Sequence, residues 1–251
     1  MLLQGDPGAG KTRLAHAVAY ALGRPLELAV IRSTSQGRDL LYTFDAVRRL
    51  YDVQAPSDGG RRPTARDYVT LGPLGRAIAR ASSGRPSVVL IDEIDKADLD
   101  FPNDLLYELE ELAFDVAEVP GMGFRVPTEH LHLRPLVVVT NNEEKTLPDA
   151  FLRRCVFHYV EFPADPDELG RIVALHGVDR PDLTAAAVTV LLSLRELDLA
   201  KRPGLSELLD WIGYLAATSA RVEDLAAVPH AGALVKQRGD QERVERWLRT
   251  P

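Results

Sequence analysis

Two rhythms of apolar residues run along the chain. Short runs dominated by Val, Ile and Leu stand at Leu26–Ile31, Val88–Ile91, Leu136–Thr140 and Val156–Phe162, mostly bounded by polar residues or proline. Runs of this length and β-branched content predict buried strands. Between them, Leu40, Leu41, Phe44, Val47 and Leu50 are spaced as on one face of a helix, and so are Leu105, Leu106, Leu109 and Leu112. Strands alternating with helices predict a parallel sheet covered on both faces. After Pro163 only helical spacing continues, in four or five segments, and Asp165-Pro166 offers an N-cap residue followed by proline at the first helical position. The pattern predicts an α/β core over residues 1–162, its first strand truncated to the residues before Gly5, and an all-helical domain over 163–251. Two stretches fit neither rhythm. Gln54–Arg66 is rich in Gly, Pro and Arg and reads as a surface loop, and Val116–Arg134, with Pro120, Gly121 and Gly123, reads as a hairpin projecting from the core.

Composition narrows the class. The 251 residues carry 30 Lys+Arg and 37 Asp+Glu, a formal charge of −7, with 45% hydrophobic and 27% charged residues. Those fractions belong to a globular protein and exclude wholesale disorder. The acidic balance argues against coating nucleic acid by bulk charge. The single cysteine, Cys155, excludes an intramolecular disulfide and a Cys-rich zinc site. The apolar stretch Ala185–Leu194 is far shorter than the ~18 residues of a membrane span. No signal-like segment precedes Gly5, so the expectation is a soluble, cytoplasmic protein.

The candidate chemistry begins at Gly5-Asp6-Pro7-Gly8-Ala9-Gly10-Lys11-Thr12, which fits G-x-x-x-x-G-K-[ST]. Leu2-Leu3 precede it as a strand end, and Leu14, Ala15, Val18, Ala19 and Leu22 follow at helical spacing. Glycines let backbone N–H groups converge on phosphate oxygens, and the helix N-terminus adds about half a positive charge. Lys11 can reach the β- and γ-phosphates, and the Thr12 hydroxyl can ligate Mg²⁺. Further on, Val88–Ile91 ends in Asp92-Glu93. A buried strand releases its first polar side chains at the carboxyl edge, where open α/β sheets bind ligands. Asp92 can hold Mg²⁺, directly or through water, and Glu93 can take a proton from an attacking water. A second apolar run ends in Thr140-Asn141-Asn142, where an amide could orient the water or bond the γ-phosphate. Arg153 and Arg154 stand just before the last expected strand.

These elements, in this order, resemble the AAA+ ATPases, and more narrowly their MoxR-like branch. The resemblance runs through IDEIDKADLDFPNDLLYELEE, VVVTNN, LPDAFLRRC and KRPGLSELLDW, from Leu2 to about Leu215. It implies a P-loop NTPase core with a helical lid, and ATP with Mg²⁺ as cofactors. Lys11 and Thr12 resemble the Walker A pair, and Asp92 and Glu93 the Walker B pair. Asn142 resembles sensor 1, ahead of Asn141; Arg154 resembles the arginine finger, with Arg153 beside it; Arg202 resembles sensor 2 at the start of a lid helix. The resemblance also implies a homo-oligomer, usually a hexameric ring, a client protein, and a hairpin over Val116–Arg134 that faces a substrate or partner. Family members usually carry sequence upstream of the first strand that helps to hold adenine, so adenine specificity here comes from the resemblance alone.

The leading expectation is an ATP hydrolase that remodels a partner protein. A nucleotide-dependent switch with little turnover is the alternative from another class. A nucleic-acid machine is weighed down by the acidic charge, although Arg48, Arg49, Arg61 and Arg62 could form a local basic patch.

Overall fold

The computed structural model describes residues 1–54 and 63–249. Most of the expected Gln54–Arg66 loop lies outside the described residues. Nine strands are assigned among the described residues: β1 (Leu2–Gln4), β2 (Leu26–Val30), β3 (Tyr42–Phe44), β4 (Val69–Leu71), β5 (Val88–Asp92), β6 (Ala113–Asp115), β7 (Gly123–Arg125), β8 (Leu136–Asn141) and β9 (Phe157–Tyr159). The first seven helices are α1 (Lys11–Ala21), α2 (Gly37–Leu41), α3 (Ala46–Gln54), α4 (Pro73–Ser82), α5 (Phe101–Asp104), α6 (Leu106–Glu111) and α7 (Asp149–Leu152). The chain separates into two compact units, Met1–Gly5 with Gly10–Val160, and Asp6–Ala9 with Glu161–Pro251.

The first unit is built on a five-stranded parallel sheet in the order β2-β5-β8-β1-β9. Its strands read as continuous apolar runs because alternate residues feed different layers. Leu3, Val88, Leu90 and Val138 pack with Ala15 and Ala19 of α1 on one face. Leu2, Val89, Ile91 and Val139 pack with Leu74, Ala77 and Ile78 of α4, among others, on the opposite face. Burying each of the larger side chains contributes about 1.5–3 kcal/mol. The expected α/β class is the observed one.

Several local expectations need correction. Leu26–Ile31 and Val156–Phe162 are not buried strands. β2 and β9 are the two edges of the sheet, with Leu28 42% and Val30 53% exposed and all three residues of β9 exposed. The helical spacing from Leu40 to Leu50 does not mark one helix. It is cut by β3, whose Tyr42–Phe44 pairs antiparallel with Leu71–Val69 of β4, so α2 and α3 stand on either side of a strand. The segment Leu105–Leu112 forms a short helix, α6, after the separate single turn of α5. The expected hairpin exists, but it starts at Ala113, and β6 pairs with β7. It is anchored rather than merely projecting, because Phe114, Val116, Val119 and Val126 are buried in the core.

The second unit contains α8 (Pro166–Leu175), α9 (Pro181–Arg195), α10 (Leu205–Ala217) and α11 (Arg238–Leu248), with two 3₁₀ turns between the last two. Asp165 caps α8 by accepting from the Asp167 N–H at 3.1 Å, with Pro166 in the first turn. Leu169, Leu183, Leu191, Leu208, Trp211 and Val244 belong to one buried cluster, and the Trp211 indole donates to Pro229 O at 2.7 Å. Asp240, near the start of α11, is buried and accepts from the backbone N–H groups of Ala200 and Lys201 at 2.9 and 3.0 Å. Those two bonds hold its carboxyl below the usual carboxylate range, and Arg243 adds to them. Among the described residues no helix is long and apolar enough to cross a membrane.

Candidate functional site

β1 ends at Gln4, and after six intervening residues α1 begins at Lys11. Gly10, immediately before the helix, has φ 94°, a left-handed conformation that costs other residues about 1–2 kcal/mol. A Cβ on Gly5 would stand 2.3 Å from Val160 O, so only glycine fits there without backbone movement. The helix start leaves its first N–H groups without intrahelical partners, and these carry the positive end of the helix dipole. Lys11, at that same start, is only 5% exposed, and its Nζ donates to Gly5 O at 2.7 Å.

The register of the sheet brings the strand-end groups to this helix. Thr12 Oγ1 lies 2.9 Å from Oδ1 and 3.2 Å from Oδ2 of Asp92. Thr140 Oγ1 donates to Asp92 Oδ1 at 2.6 Å and accepts from the Glu93 N–H at 2.8 Å. Thr12, Asp92, Glu93 and Thr140 therefore form one hydrogen-bonded chain. Glu93 itself has φ 61°, and its Oε2 accepts from Lys96 Nζ at 2.6 Å. That hydrogen bond raises the Lys96 ammonium above its ordinary pKa. The adjacent hydroxyl of Thr12 and carboxylate of Asp92 are hard oxygen donors, a set that suits Mg²⁺ when phosphate and water complete the shell.

The two asparagines differ in environment. Asn141 is buried, and its Oδ1 accepts from the Glu143 N–H at 2.9 Å, which closes a local turn. Asn142 is partly buried, two residues beyond Thr140 and so of the same parity along the strand direction. Its N–H donates to Asp95 Oδ2 at 3.1 Å, and the Glu144 N–H reaches the same oxygen at 3.0 Å. Arg153 and Arg154 are both exposed after α7. Arg154 is engaged in its own chain, with Nε on the Glu110 carboxylate of α6 and Nη1 donating to Ala150 O at 2.9 Å. Arg202 is exposed in the segment leading into α10.

Four partners in these contacts are not evident from sequence motifs. Thr140 could have been found by registering β8 against β5, since its parity matches that of Asn142. Lys96 follows Glu93 by one 3₁₀ turn, a spacing that offers an ion pair. Glu110 carried no signal. Within the second unit, Arg195 also carried none: it is 13% exposed at the end of α9, donates to Asp6 Oδ2 at 2.6 Å and to Pro203 O at 2.8 Å, and lies 3.7 Å from the Phe162 ring centroid.

Comparison with known proteins agrees with this architecture. NtrX from Brucella abortus, whose crystal structure was determined in complex with ATP, has the same fold with a TM-score of 0.53 at 16% identity, over 97% of this chain and 54% of that one. The Lon protease of Mycolicibacterium smegmatis is 30% identical over 217 residues, 82% of this chain. The chain spans only 25% of that protease. Residues 1–155 match the model of the AAA domain, dynein-related subfamily. With that match covering more than half of its length, the chain belongs to the AAA domain family, in the dynein-related subfamily.

Proposed function

We propose that the protein is a Mg²⁺-dependent ATP hydrolase of the ring-forming, MoxR-like type, which couples hydrolysis to remodelling of a partner protein. The observation that carries this reading is the 2.9 Å contact between Thr12 and Asp92, 80 residues apart in sequence, beside a lysine buried at a helix start. In this reading Lys11 exchanges Gly5 O for phosphate oxygens, and the N–H groups at the start of α1 bind the same anion. Mg²⁺ held by Thr12 and Asp92 would screen the phosphate charge. Glu93 accepts a proton from the attacking water, and the Asn142 amide orients that water. The ATP in the NtrX complex supports ATP as the nucleotide. Arg154 would act on the nucleotide of a neighbouring subunit after leaving Glu110, and Arg202 would respond to the phosphate at the start of α10. The helical second unit, with its own core, is suited to act as the moving lid. The MoxR-like assignment rests on the ordered motifs of the sequence, which name no client.

Calorimetry with ATP–Mg²⁺ and a phosphate-release assay test the site. Lys11→Ala is expected to lose binding, and wild-type affinity in that variant would overturn the site. Glu93→Gln is expected to keep binding while turnover falls about 10²–10⁴-fold. Loss of binding together with turnover would make Glu93 structural instead. One observation favours a second reading, a nucleotide-dependent switch with little turnover: Lys96 occupies one of the two carboxylate oxygens of Glu93, the proposed base. Tight ATP binding with no measurable phosphate release by the wild-type chain would select that reading.

A further inference from the structure

A cleft of about 700 Å³ lies within the first unit between α2, α6 and the β6–β7 hairpin. Its floor is apolar and aromatic. Tyr42 stacks on Phe114 with ring centroids 6.2 Å apart at 15°, and Phe114 stacks on Phe124 at 5.2 Å and 28°. Leu41 completes the floor, and Tyr107 stands at the rim, 60% exposed.

The rim is charged and unbalanced. Arg38 and Arg125 line the cleft, and each already has a carboxylate: Arg38 lies 3.3 Å from Glu118, and Arg125 lies 3.4 Å from Glu111. Asp104, Glu108 and Asp115 also line it, and none of the three has a hydrogen-bond donor or cation among the described residues. One oxygen of Glu108 is sealed from solvent in this unpaired state. A buried acceptor left without a donor is costly, more so when charged, so Glu108 gains from an occupant whose binding opens the rim and brings it a donor.

We infer that this cleft receives an arginine side chain from a segment of a partner polypeptide. The chemistry of the walls selects such an occupant. An aliphatic stem lies on apolar and aromatic surface while its charged head reaches carboxylates at the rim. A guanidinium stacks on aromatic faces and bridges two carboxylates through its fork of donors, which an ammonium cannot do as well. Surplus carboxylate repels phosphate, which excludes nucleic acid and acidic peptides. The cleft is separate from the phosphate loop, so the inference stands whether or not the proposed hydrolysis does.

The test is fluorescence anisotropy on the full chain without nucleotide. The probe is a fluorescein-labelled glycine–serine peptide with spaced arginines, compared with the same peptide carrying citrulline, which keeps the shape and loses the charge. The arginine peptide is expected to bind at least about tenfold more tightly, the scale of one charge-assisted hydrogen bond. Glu108→Gln with Asp115→Asn is expected to remove that preference, and Tyr107→Ala, at an exposed position that does not threaten folding, to weaken the arginine peptide more than the citrulline peptide. Equal binding of the two peptides, no binding of either, or a preference untouched by these variants overturns the inference. If the double variant does not fold by circular dichroism, Tyr107→Ala decides the matter.

Discussion

At the residue scale, the site depends on one hydroxyl that no sequence motif identifies. Thr140 gives its proton to Asp92 and accepts the N–H of Glu93, so a single side chain fixes both carboxylate-bearing residues. Thr140→Val keeps the shape and leaves that N–H without its acceptor. An orphaned buried donor costs about 1–3 kcal/mol. The variant is expected to lose roughly that much stability in denaturant melts and to lower turnover, with Thr140→Ser restoring both. Unchanged stability and turnover in Thr140→Val would show the bond to be idle. Asp95, two residues beyond Glu93, is tied to the backbone through one oxygen, since its Oδ2 accepts the Asn142 and Glu144 N–H groups in the turn after β8. Lys11, Thr12 and Asp92 were legible in the sequence because each belongs to a short motif whose chemistry is local. Thr140, Glu110 and Arg195 were not, because their roles exist only once strands are registered or distant segments meet.

At the scale of elements, the sequence misled where apolar spacing could serve two structures. Leu40, Phe44 and Val47 fit a helical face, yet Tyr42–Phe44 is a strand because β4, some 25 residues downstream by order of magnitude, supplies its partner. Local periodicity carries no information about such pairing. The edge strands β2 and β9 were overestimated for a related reason: a Val- and Leu-rich run looks alike whether or not a neighbour covers it. In the helical unit, Asp240 ties α11 to the segment that leads to Arg202. Its carboxyl is depressed by the Ala200 and Lys201 N–H groups, so it is ionised and stabilising above the unfolded value of about 3.9. That contribution is lost as pH falls through the lower folded value. Asp240→Asn is therefore expected to lower Tm at neutral pH, with the difference from wild type shrinking under strongly acidic conditions. A Tm difference that persists undiminished into acid would assign the loss to packing rather than charge.

At the scale of the whole molecule, the proposed ring makes two demands on solution behaviour. Specific activity should rise with protein concentration as subunits assemble. Arg154→Ala mixed with Lys11→Ala should regain activity, because one mixed interface pairs an intact phosphate site with an intact arginine. An arginine supplied across an interface is worth about 10³–10⁵ in rate. In this structure that arginine is held by Glu110, an exposed pair worth less than about 1 kcal/mol, so its release opposes assembly only weakly. Concentration-independent activity, or no rescue despite proven co-assembly, would leave a solitary nucleotide-binding module.

The left-handed backbone at Glu93 bears on how this protein would respond to selection. A side chain at φ 61° costs about 1–2 kcal/mol, which glycine at that position would avoid. The ion pair with Lys96 that glycine would forfeit is partly exposed and offsets at most about 1 kcal/mol of this gain. A library sorted only for heat resistance would thus drift toward glycine at position 93, discarding the proposed base while improving the fold. Breeding a hardier version of this protein therefore calls for a screen that scores phosphate release alongside survival.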